Sequence, residues 1–329
     1  MNKSSFKFLF NGSQYIIKNN KKHKIFILIF MILTIIICKI KIINHKIKIC
    51  LCVIAKNENL YIREFVEHYK KIGYNNLFIY NNNGENDENL AEPIKDYIKN
   101  GFVKIIDFAR TNDDSRPQFV AYKDCYSRNG RKFDWLSFFD VDEFLEINHK
   151  YKTIQDFLSD KIFEHCDNIK INWLCYYNYK NLYYENKTLI ERITSVKYDN
   201  PENDHIKSTV KGKLYKNYWE KMANPHSSLF KLKACSSSGK RIKFDSPFNI
   251  PPDYTKARLR HYNYKSFEEY CLKLKRGRSD FQKNESSQMI NDRYKLLVAE
   301  NRNNKEKLKI IYKIFNHSNY SLGHANDTI

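Results

Sequence analysis

Two aspartates and a glutamate follow an apolar run near the middle of the chain, where residues 135–144 read WLSFFDVDEF. Side chains alternate between the two faces of a β-strand, so this spacing predicts that Asp140 and Asp142 point to the same face at a strand's end. Two carboxylates placed in this way can bind Mg²⁺ or Mn²⁺, which take oxygen ligands from carboxylates and phosphates. The pattern therefore predicts a site where a metal ion holds a nucleotide diphosphate.

The D-x-D pattern also occurs by chance, and the alternative interpretation is a strand that leads into an acidic, solvated turn. The apolar run before Asp140 favours the metal site. A P-loop enzyme is excluded, because the sequence contains no G-x-x-x-x-G-K-[ST] motif to accompany a Walker B strand.

Strands and helices alternate along the chain before the two aspartates. A buried strand is predicted at 46–55, and the helix after it has one apolar face and ends at Gly73. Further strands are predicted at 77–80 and 103–106, and further helices at 90–98 and from Pro117 to about Arg128. This alternation predicts an α/β fold with a mostly parallel central sheet.

Polar residues follow the first two predicted strands. Lys56, Asn57 and Glu58 come after the first strand, and the turn from Asn81 to Gly84 comes after the second. The carboxyl ends of parallel strands line the usual ligand crevice of an α/β sheet, so we expect these residues near the ligand.

A helix start is predicted close to the C-terminal end of the fold. Ser266 and Glu269 have the spacing of an S-x-x-E capping box. A helix N-terminus favours a phosphate group, and Lys265, Lys273 and Arg276 would add positive charge there. The alternative interpretation is an ordinary amphipathic helix with solvated lysines.

The sequence contains a set of distinctive short blocks in a fixed order. They are 56–58 (KNE), 63–69 (REFVEHY), 79–82 (IYNN) with Asp87, 138–144 (FFDVDEF), 171–173 (INW), 207–211 (KSTVK), and 261–270 (HYNYKSFEEY) with Lys273 and 276–277 (RG). Together they resemble glycosyltransferase family 92, over about residues 47–278. The ordered set is far more specific than any single block.

The resemblance implies a GT-A fold, a nucleotide-sugar donor, a divalent metal ion (Mn²⁺ or Mg²⁺) and transfer with inversion to a glycan or glycoconjugate acceptor. Characterised relatives use UDP-galactose, which makes galactose the first guess for the sugar. The implied metal ligands are Asp140, Asp142 and His261, with Asp140 alternatively contacting the ribose. The implied donor-binding residues are Lys56, Asn57, Glu58, Asn81, Asp87, Asp140, Lys265, Lys273 and Arg276.

Two departures from the family pattern concern the acceptor and the nucleoside. Residues 174–179 (LCYYNY) replace a turn that commonly contains glycine and serine, and residues 81–83 replace a frequent acidic residue. The catalytic base is not determined. An inverting transfer needs a carboxylate or a histidine to accept the acceptor's proton, and the open candidates are Glu191, Asp204, Glu220 and His226.

The chain is strongly basic, with a formal net charge of +20 over 329 residues. Because the charge is spread through a sequence rich in Asn, Lys and Ile, no nucleic-acid partner is expected. The eight cysteines show no C-x-x-C pair, so no structural zinc site is expected. Cys50 and Cys52 share one face of the first strand and are expected to pack as small apolar groups, with disulfides left open.

Residues 1–45 are predicted to be a basic tail with a single membrane anchor. The stretch 25–38 contains only apolar residues and one threonine, and it extends to 25–43 if Lys39 and Lys41 reach toward the headgroups. No cleavage site follows, which favours a signal anchor over a cleaved signal peptide. A buried core helix is the alternative. The prediction is a single-pass membrane protein whose domain lies in a Golgi- or ER-like lumen or at a host membrane.

The predicted organisation is therefore a tail and anchor at 1–45, a GT-A catalytic domain at 46–280 and a helical C-terminal extension at 281–329. The predicted function is a metal-dependent glycosyltransferase. The alternative is a non-catalytic, basic α/β module that binds an anionic polymer at a membrane. Only the enzyme should depend on Asp142, whereas binding by the basic module should depend on salt.

Overall fold

The computed structural model describes residues 7–10, 13–16, 25–34, 46–85, 87–108, 117–178, 181–214, 226, 232–242, 246–276, 287–316, 320 and 322. The chain forms two compact units, Met1–Lys46 and Ile47–Ile329. The second unit contains the residues with predicted chemistry.

The first unit contains an antiparallel hairpin, Lys7–Phe10 with Ser13–Ile16, and a helix at 25–34 whose side chains are exposed. Ten helical residues extend about 15 Å, whereas the hydrocarbon core of a bilayer is about 30 Å thick. No helix among the described residues is long and apolar enough to cross a membrane. The predicted single-pass anchor at 25–43 is therefore contradicted, and residues 35–43 lie outside the described part of the chain.

The first half of the second unit is a parallel α/β arrangement, as predicted. Its strands are β1 (Ile49–Ala55), β2 (Asn76–Asn81), β3 (Val103–Asp107) and β4 (Trp135–Phe138). Its helices are α1 (Asn59–Lys71), α2 (Lys95–Lys99) and α3 (Pro117–Asn129), with a 3₁₀ turn at Glu92–Ile94. The strand order β3-β2-β1-β4 is parallel throughout.

The end of α1 shows how local sequence fixes an element. Ile62, Phe65 and Val66 repeat at helical spacing and are completely buried against the sheet. Gly73 follows the helix with a φ of 100°, a conformation that favours glycine. The predicted stop at Gly73 is confirmed.

The second half of the sheet is mixed. Its strands are β5 (Glu143–Ile147), β6 (Asn168–Tyr177), β7 (Ser195–Val196), β8 (Ile206–Lys211), β9 (Ala234–Cys235) and β10 (Ala257–Tyr264). The sheet continues from β4 in the order β8-β6-β10-β5, and β7 and β9 pair with β6. β8 is antiparallel to both β4 and β6, while β10 is parallel to β6.

The remaining helices are α4 (Ile154–Leu158), α5 (Leu189–Arg192), α6 (Phe267–Arg276), α7 (Ser287–Glu300) and α8 (Lys305–Asn316), with 3₁₀ turns at Lys161–Phe163 and Pro201–Asp204. A small apolar cluster joins Cys271 of α6 to Leu297 of α7 and to Ile310, Ile311 and Ile314 of α8. The C-terminal helices thereby pack directly on α6.

Two disulfides connect the core. Cys52 of β1 is bonded to Cys125 of α3, and Cys166 is bonded to Cys235 of β9. Cys50 is a buried free thiol, as expected from its apolar surroundings. The corresponding expectation for Cys52 is wrong, because α3 crosses the same face of β1 and brings Cys125 against it.

Candidate active site

The D-x-D segment lies in a tight turn after β4. The Glu143 amide donates to the Asp140 carbonyl over 3.0 Å, and the Asp140 amide donates to the Glu143 carboxylate over 3.0 Å. Because β4 ends at Phe138, strand alternation does not apply to the two aspartates. The prediction that they share a strand face is wrong, and their carboxylates meet different neighbours.

The Asp140 carboxylate is bound by three side chains. Lys207 contacts it at 2.7 Å, Gln118 donates to it over 2.5 Å, and Tyr122 donates over 3.0 Å. Burial alone would raise the pKa of Asp140, but the Lys207 ammonium outweighs burial and holds this pKa below its usual value. Asp140 is therefore a fixed carboxylate that keeps part of its surface open, with 31% of the side chain exposed.

Lys207 and Glu143 are completely buried behind Asp140. β8 lies beside β4 with Ser208 opposite Phe138, which brings Lys207 to the turn. Its ammonium is 3.5 Å from the Glu143 carboxylate. Burial raises the pKa of Glu143 despite Lys207, whereas the carboxylates Asp140 and Glu143 outweigh burial and raise the pKa of Lys207. Lys207 therefore stays protonated, and Asp140 is its main ion-pair partner.

Asp142 faces a second lysine and a histidine. Lys273 of α6 is 3.1 Å from its carboxylate and also donates to Asn263 over 2.7 Å. The His261 Nε2 is 3.8 Å from Asp142 Oδ1. Burial opposes ionisation, yet Lys273, His261 and Lys265 together hold the pKa of Asp142 well below its usual range. Asp142 is therefore an ionised carboxylate near the ammonium groups of Lys273 and Lys265.

The imidazole of His261 is enclosed by β6 neighbours. In the sheet His261 is opposite both Glu143 of β5 and Cys175 of β6. The Trp173 ring lies 4.0 Å from the imidazole, centroid to centroid, and the Cys175 sulfur is 4.0 Å from Nδ1. Burial lowers the pKa of His261 to about 4. A neutral imidazole has a nitrogen lone pair that can bind a metal ion.

The predicted capping box at the start of α6 is present. Ser266 donates its hydroxyl and its amide to Glu269 over 2.6 and 2.9 Å, and the Glu269 amide donates back to the Ser266 hydroxyl over 3.3 Å. Glu269 also accepts two bonds from the buried Arg192, at 2.7 and 2.5 Å, and one from Tyr61 at 2.6 Å. This network fixes the N-terminus of α6.

Lys265 directly precedes the capping residue and is 8% exposed. Its ammonium lies 4.2 Å from the centre of the Tyr61 ring. It forms no hydrogen bond or ion pair with the described residues, and burial lowers its pKa although Asp142 and Glu58 oppose that effect. A mostly buried ammonium beside a helix N-terminus, with no ion pair to the described residues, can bind an anionic group of a ligand.

Arg276 holds the loop after β1. Its guanidinium donates to the carbonyls of Lys56 and Asn57, each over 2.7 Å, and to the Glu58 carboxylate over 3.0 Å. Asn57 has a φ of 51°, which an asparagine tolerates better than most residues. Three of the five N–H donors of this guanidinium, which was predicted to bind the diphosphate, are therefore directed at one loop.

The remaining predicted donor residues form the neighbouring loop. The Asn57 side chain donates to Asp87 over 3.0 Å, and the Asn57 amide donates to Asn83 over 2.8 Å. Asn81 accepts from the Asn83 amide over 3.2 Å. The structure therefore connects the loops after β1 and β2 through asparagine and aspartate side chains.

The candidates for the catalytic base have different surroundings in the structure. Glu191 caps α5 and is bonded to Thr188. Asp204 ends a 3₁₀ turn, where its carbonyl accepts from Asn172 and Asn249. His226 lies close enough to Asp140 to influence that carboxyl's pKa, and its ring centre is 5.4 Å from that of Trp173. Glu220 lies outside the described residues.

Gln118 and Tyr122 contact Asp140 but were not identified from the sequence. They are four residues apart on α3, so both point from one helix face toward the turn. The only signal was two polar side chains at this spacing at the start of a helix. Two polar residues at this spacing are also common on helices that contribute to no functional site.

The residues predicted to bind a metal ion fit one only in part. Asp142 and His261 offer an oxygen and a nitrogen 3.8 Å apart, which suits two ligands of one ion. Asp140 is held by Lys207 instead. Among the described residues, a group of three ligand atoms within 4.8 Å of one another is formed by His165, Cys166 and Cys235, and these two cysteines form a disulfide.

A family model for glycosyltransferase family 92 matches residues 45–298, more than half of the chain. The chain belongs to glycosyltransferase family 92. Its α/β sheet, with the D-x-D turn after β4, is the GT-A arrangement that the resemblance implied.

Two curated members of family 92 match parts of the chain. A protein of Ricinus communis is 26% identical over 101 residues, which cover 30% of this chain and 17% of that protein. A protein of Oryza sativa subsp. japonica is 27% identical over 115 residues, which cover 33% of this chain and 18% of that protein. The match thus spans less than one fifth of either relative.

Solved structures of S. aureus TarS have low similarity to this chain. TarS residues 1–349 give a TM-score of 0.35 at 11% identity, covering 80% of this chain and 76% of that chain. The TarS complex with UDP-GlcNAc gives a TM-score of 0.35 at 13% identity, and the alignment covers 82% of this chain and 72% of the TarS chain.

Proposed function

We propose that this family 92 chain is a glycosyltransferase that moves a sugar from a UDP-sugar to a glycan or glycoconjugate acceptor. The observation that carries the proposal is the cluster of Asp142, Lys273 and His261 beside the buried Lys265. Asp142 comes from the D-x-D turn, His261 from β10 and Lys273 from α6. One ionised carboxylate with a neutral imidazole and two ammonium groups suits a metal ion and a diphosphate together.

Asp142 and His261 are the proposed holders of Mn²⁺ or Mg²⁺. Such an ion would neutralise the charge that develops on the diphosphate leaving group. His261 is suited to this role because the Trp173 ring and Cys175 fix the plane of its imidazole.

Lys265 and Lys273 are the proposed contacts to the diphosphate. Lys265 has no anionic partner among the described residues, and the capping box fixes its backbone position. Lys273 is exposed by 33% and reaches Asp142 at 3.1 Å. It can exchange that contact for a phosphate oxygen without a large movement.

Asp140 is the proposed acceptor of a ribose hydroxyl. Lys207, Gln118 and Tyr122 fix its carboxylate, and its remaining exposed edge can accept a hydrogen bond. A metal ion at Asp140 would compete with the Lys207 ammonium, so a sugar hydroxyl suits this side chain better.

His226 is the proposed catalytic base. Its Nδ1 lies 3.0 Å from the Ile206 carbonyl, so Nδ1 carries the hydrogen and Nε2 keeps its lone pair. Burial lowers the pKa of His226 to about 3, so the imidazole is neutral near pH 7 and is a weaker base than an exposed histidine. Glu191 and Asp204 form hydrogen bonds elsewhere, and neither forms one with the D-x-D turn within the described part of the chain.

The test is release of UDP by the full chain from a panel of UDP-sugars that includes UDP-galactose, with Mn²⁺ and with chelator. We expect one donor to be hydrolysed with Mn²⁺ only, and Asp142→Asn to lose that activity. The alternative function, a basic module that binds anionic polymer without catalysis, predicts no metal-dependent interaction with any UDP-sugar.

A further inference from the structure

A cavity opens beside the amino ends of the strands that carry the proposed donor-site residues. It has a volume of about 750 Å³, and Lys48, Asn76 and Phe133 line it. These three residues lie at or just before the starts of β1, β2 and β4, whereas Lys56 and Asp140 follow the ends of β1 and β4. Other lining residues, among them Tyr80 and Ile106, lie further along β2 and β3. Because these strands are parallel, the cavity extends along the sheet from the amino ends of the strands, whereas the proposed donor-site residues follow their carboxyl ends.

The lining of this cavity is basic. Its described residues include Lys48, Lys104, Arg128 and Lys132, and none of them is acidic. Arg128 is bonded to Asp124 at 2.7 Å. The three lysines are exposed and form no ion pair with the described residues. Their ammonium groups are therefore available to an anionic ligand.

The aromatic residues in the lining restrict the class of ligand. Phe78 and Phe133 are 7% and 8% exposed, and Tyr80 is completely buried. The two phenylalanine rings pack edge to face with centroids 5.9 Å apart, and the Lys104 ammonium lies 5.8 Å from the centre of the Phe78 ring. Because both rings are mostly buried, they offer little open face on which a nucleobase could stack. A volume of this size lies within the range of about 300–1,000 Å³ for ligand sites.

We propose that this cavity is an exosite for an acidic glycan, an oligosaccharide that carries carboxylate or sulfate groups. Lys48, Lys104 and Lys132 pair with its charges, and the amide groups at the rim contact its hydroxyls. The inference rests on the proposed function only in taking a glycan as the ligand class. It places part of the bound glycan away from the residues that carry out transfer.

The test measures binding of a fluorescently labelled, heparin-derived sulfated tetrasaccharide to the full chain by anisotropy. The variant Lys48→Glu/Lys104→Glu/Lys132→Glu removes the cavity's free cations. The matched control, Lys99→Glu/Lys152→Glu/Lys161→Glu, changes the net charge equally at exposed positions outside the cavity. We expect the cavity variant to bind at least about tenfold more weakly and the control to stay within about twofold of wild type.

An equal loss in both variants would overturn the exosite, because binding would then follow net charge alone. Competition by a desulfated tetrasaccharide or by UDP as strong as that by the sulfated one would also overturn it. Lys→Gln substitutions at the same three positions repeat the test without charge reversal. Titration of UDP into the cavity variant separates the two proposals, since retained UDP binding leaves the donor site intact whether or not the exosite fails.

Discussion

The two aspartates of the D-x-D turn differ in their cationic neighbours, and this difference sets their roles. Asp140 is paired with a lysine that is completely buried, whereas Asp142 is paired with a partly exposed lysine and a neutral histidine. A buried lysine cannot leave its partner without a large desolvation cost. Asp140 is therefore held in place, while Asp142 is available to a metal ion and the donor.

Replacing Lys207 by methionine is expected to destabilise the fold strongly. The substitution leaves Asp140 with uncompensated charge beside a buried turn, and breaking such pairs costs about 3–5 kcal/mol. The measurement is urea unfolding of wild type and Lys207→Met. Lys95→Met, which breaks an exposed pair with Glu92, is the control and should match wild type. A Lys207→Met protein as stable as that control would contradict the account.

The free energy of unfolding is expected to decrease as the pH falls below 7, in part because of His68. Burial lowers the pKa of His68 to about 4, with its Nε2 bonded to the Leu145 carbonyl at 2.8 Å. The unfolded histidine binds a proton below about pH 6.5, so protons favour the unfolded chain between about pH 6.5 and 4. Between pH 7 and 5 this group should remove about 2 kcal/mol of stability.

The free energy of unfolding at pH 7 and pH 5 checks this expectation in wild type and His68→Gln. The variant, which has no group that titrates in this range at position 68, should lose about 2 kcal/mol less than wild type over the same interval. Identical pH dependence in both proteins would show that His68 is not held neutral by burial.

At the scale of elements, α6 connects the parts of the proposed site. Its N-terminus presents Lys265, its middle presents Lys273, and its last residue holds the loop after β1. We infer that Arg276 positions this loop and does not itself contact the donor.

Replacing Arg276 by lysine tests that inference, because lysine keeps the charge but cannot make three directed bonds to the loop. We expect faster amide hydrogen exchange in residues 56–58 and about tenfold weaker UDP binding. Lys275→Arg, which changes the adjacent cation, is the control and should alter neither. Unchanged exchange in the loop together with weaker UDP binding would instead indicate a direct contact to phosphate.

Elements defined by local sequence were predictable, and those that depend on long-range pairing were not. α1 follows from the spacing of Ile62, Phe65 and Val66 and from Gly73, because a helix face is encoded within a dozen residues. The pairing of β8 with β4 joins segments about seventy residues apart. Nothing local to Lys207 indicates that it lies beside Asp140.

The residues of the proposed site stay a prediction, although the structure brings several of them together. Asp142, His261 and Lys265 were identified from short ordered blocks, and the capping box at Ser266 was identified from its spacing. The geometry of the D-x-D turn was not predicted, because the Glu143 carboxylate ends the strand by bonding the Asp140 amide. That contact depends on the side-chain conformation rather than on residue type.

At the scale of the whole molecule, the sheet topology places buried, paired charged groups and exposed lysines at different ends of the parallel strands. The carboxyl ends of β1 and β4 carry the buried and paired groups of the proposed donor site, and the cavity that begins at the amino ends is lined by exposed lysines. The parallel arrangement therefore presents the proposed donor site and the lysines of the proposed exosite at different ends of the strands.

The central claim is that Asp142 binds the donor through a metal ion. Calorimetric titration of UDP into the full chain, with Mn²⁺ or with chelator, tests it in wild type, Asp142→Asn and Asp292→Asn. Asp292 lies exposed on α7 and provides the matched control. We predict that wild type and the control bind UDP only with Mn²⁺ and that Asp142→Asn loses about tenfold or more of that affinity. Binding of UDP by Asp142→Asn with Mn²⁺ as tight as wild type would contradict the account.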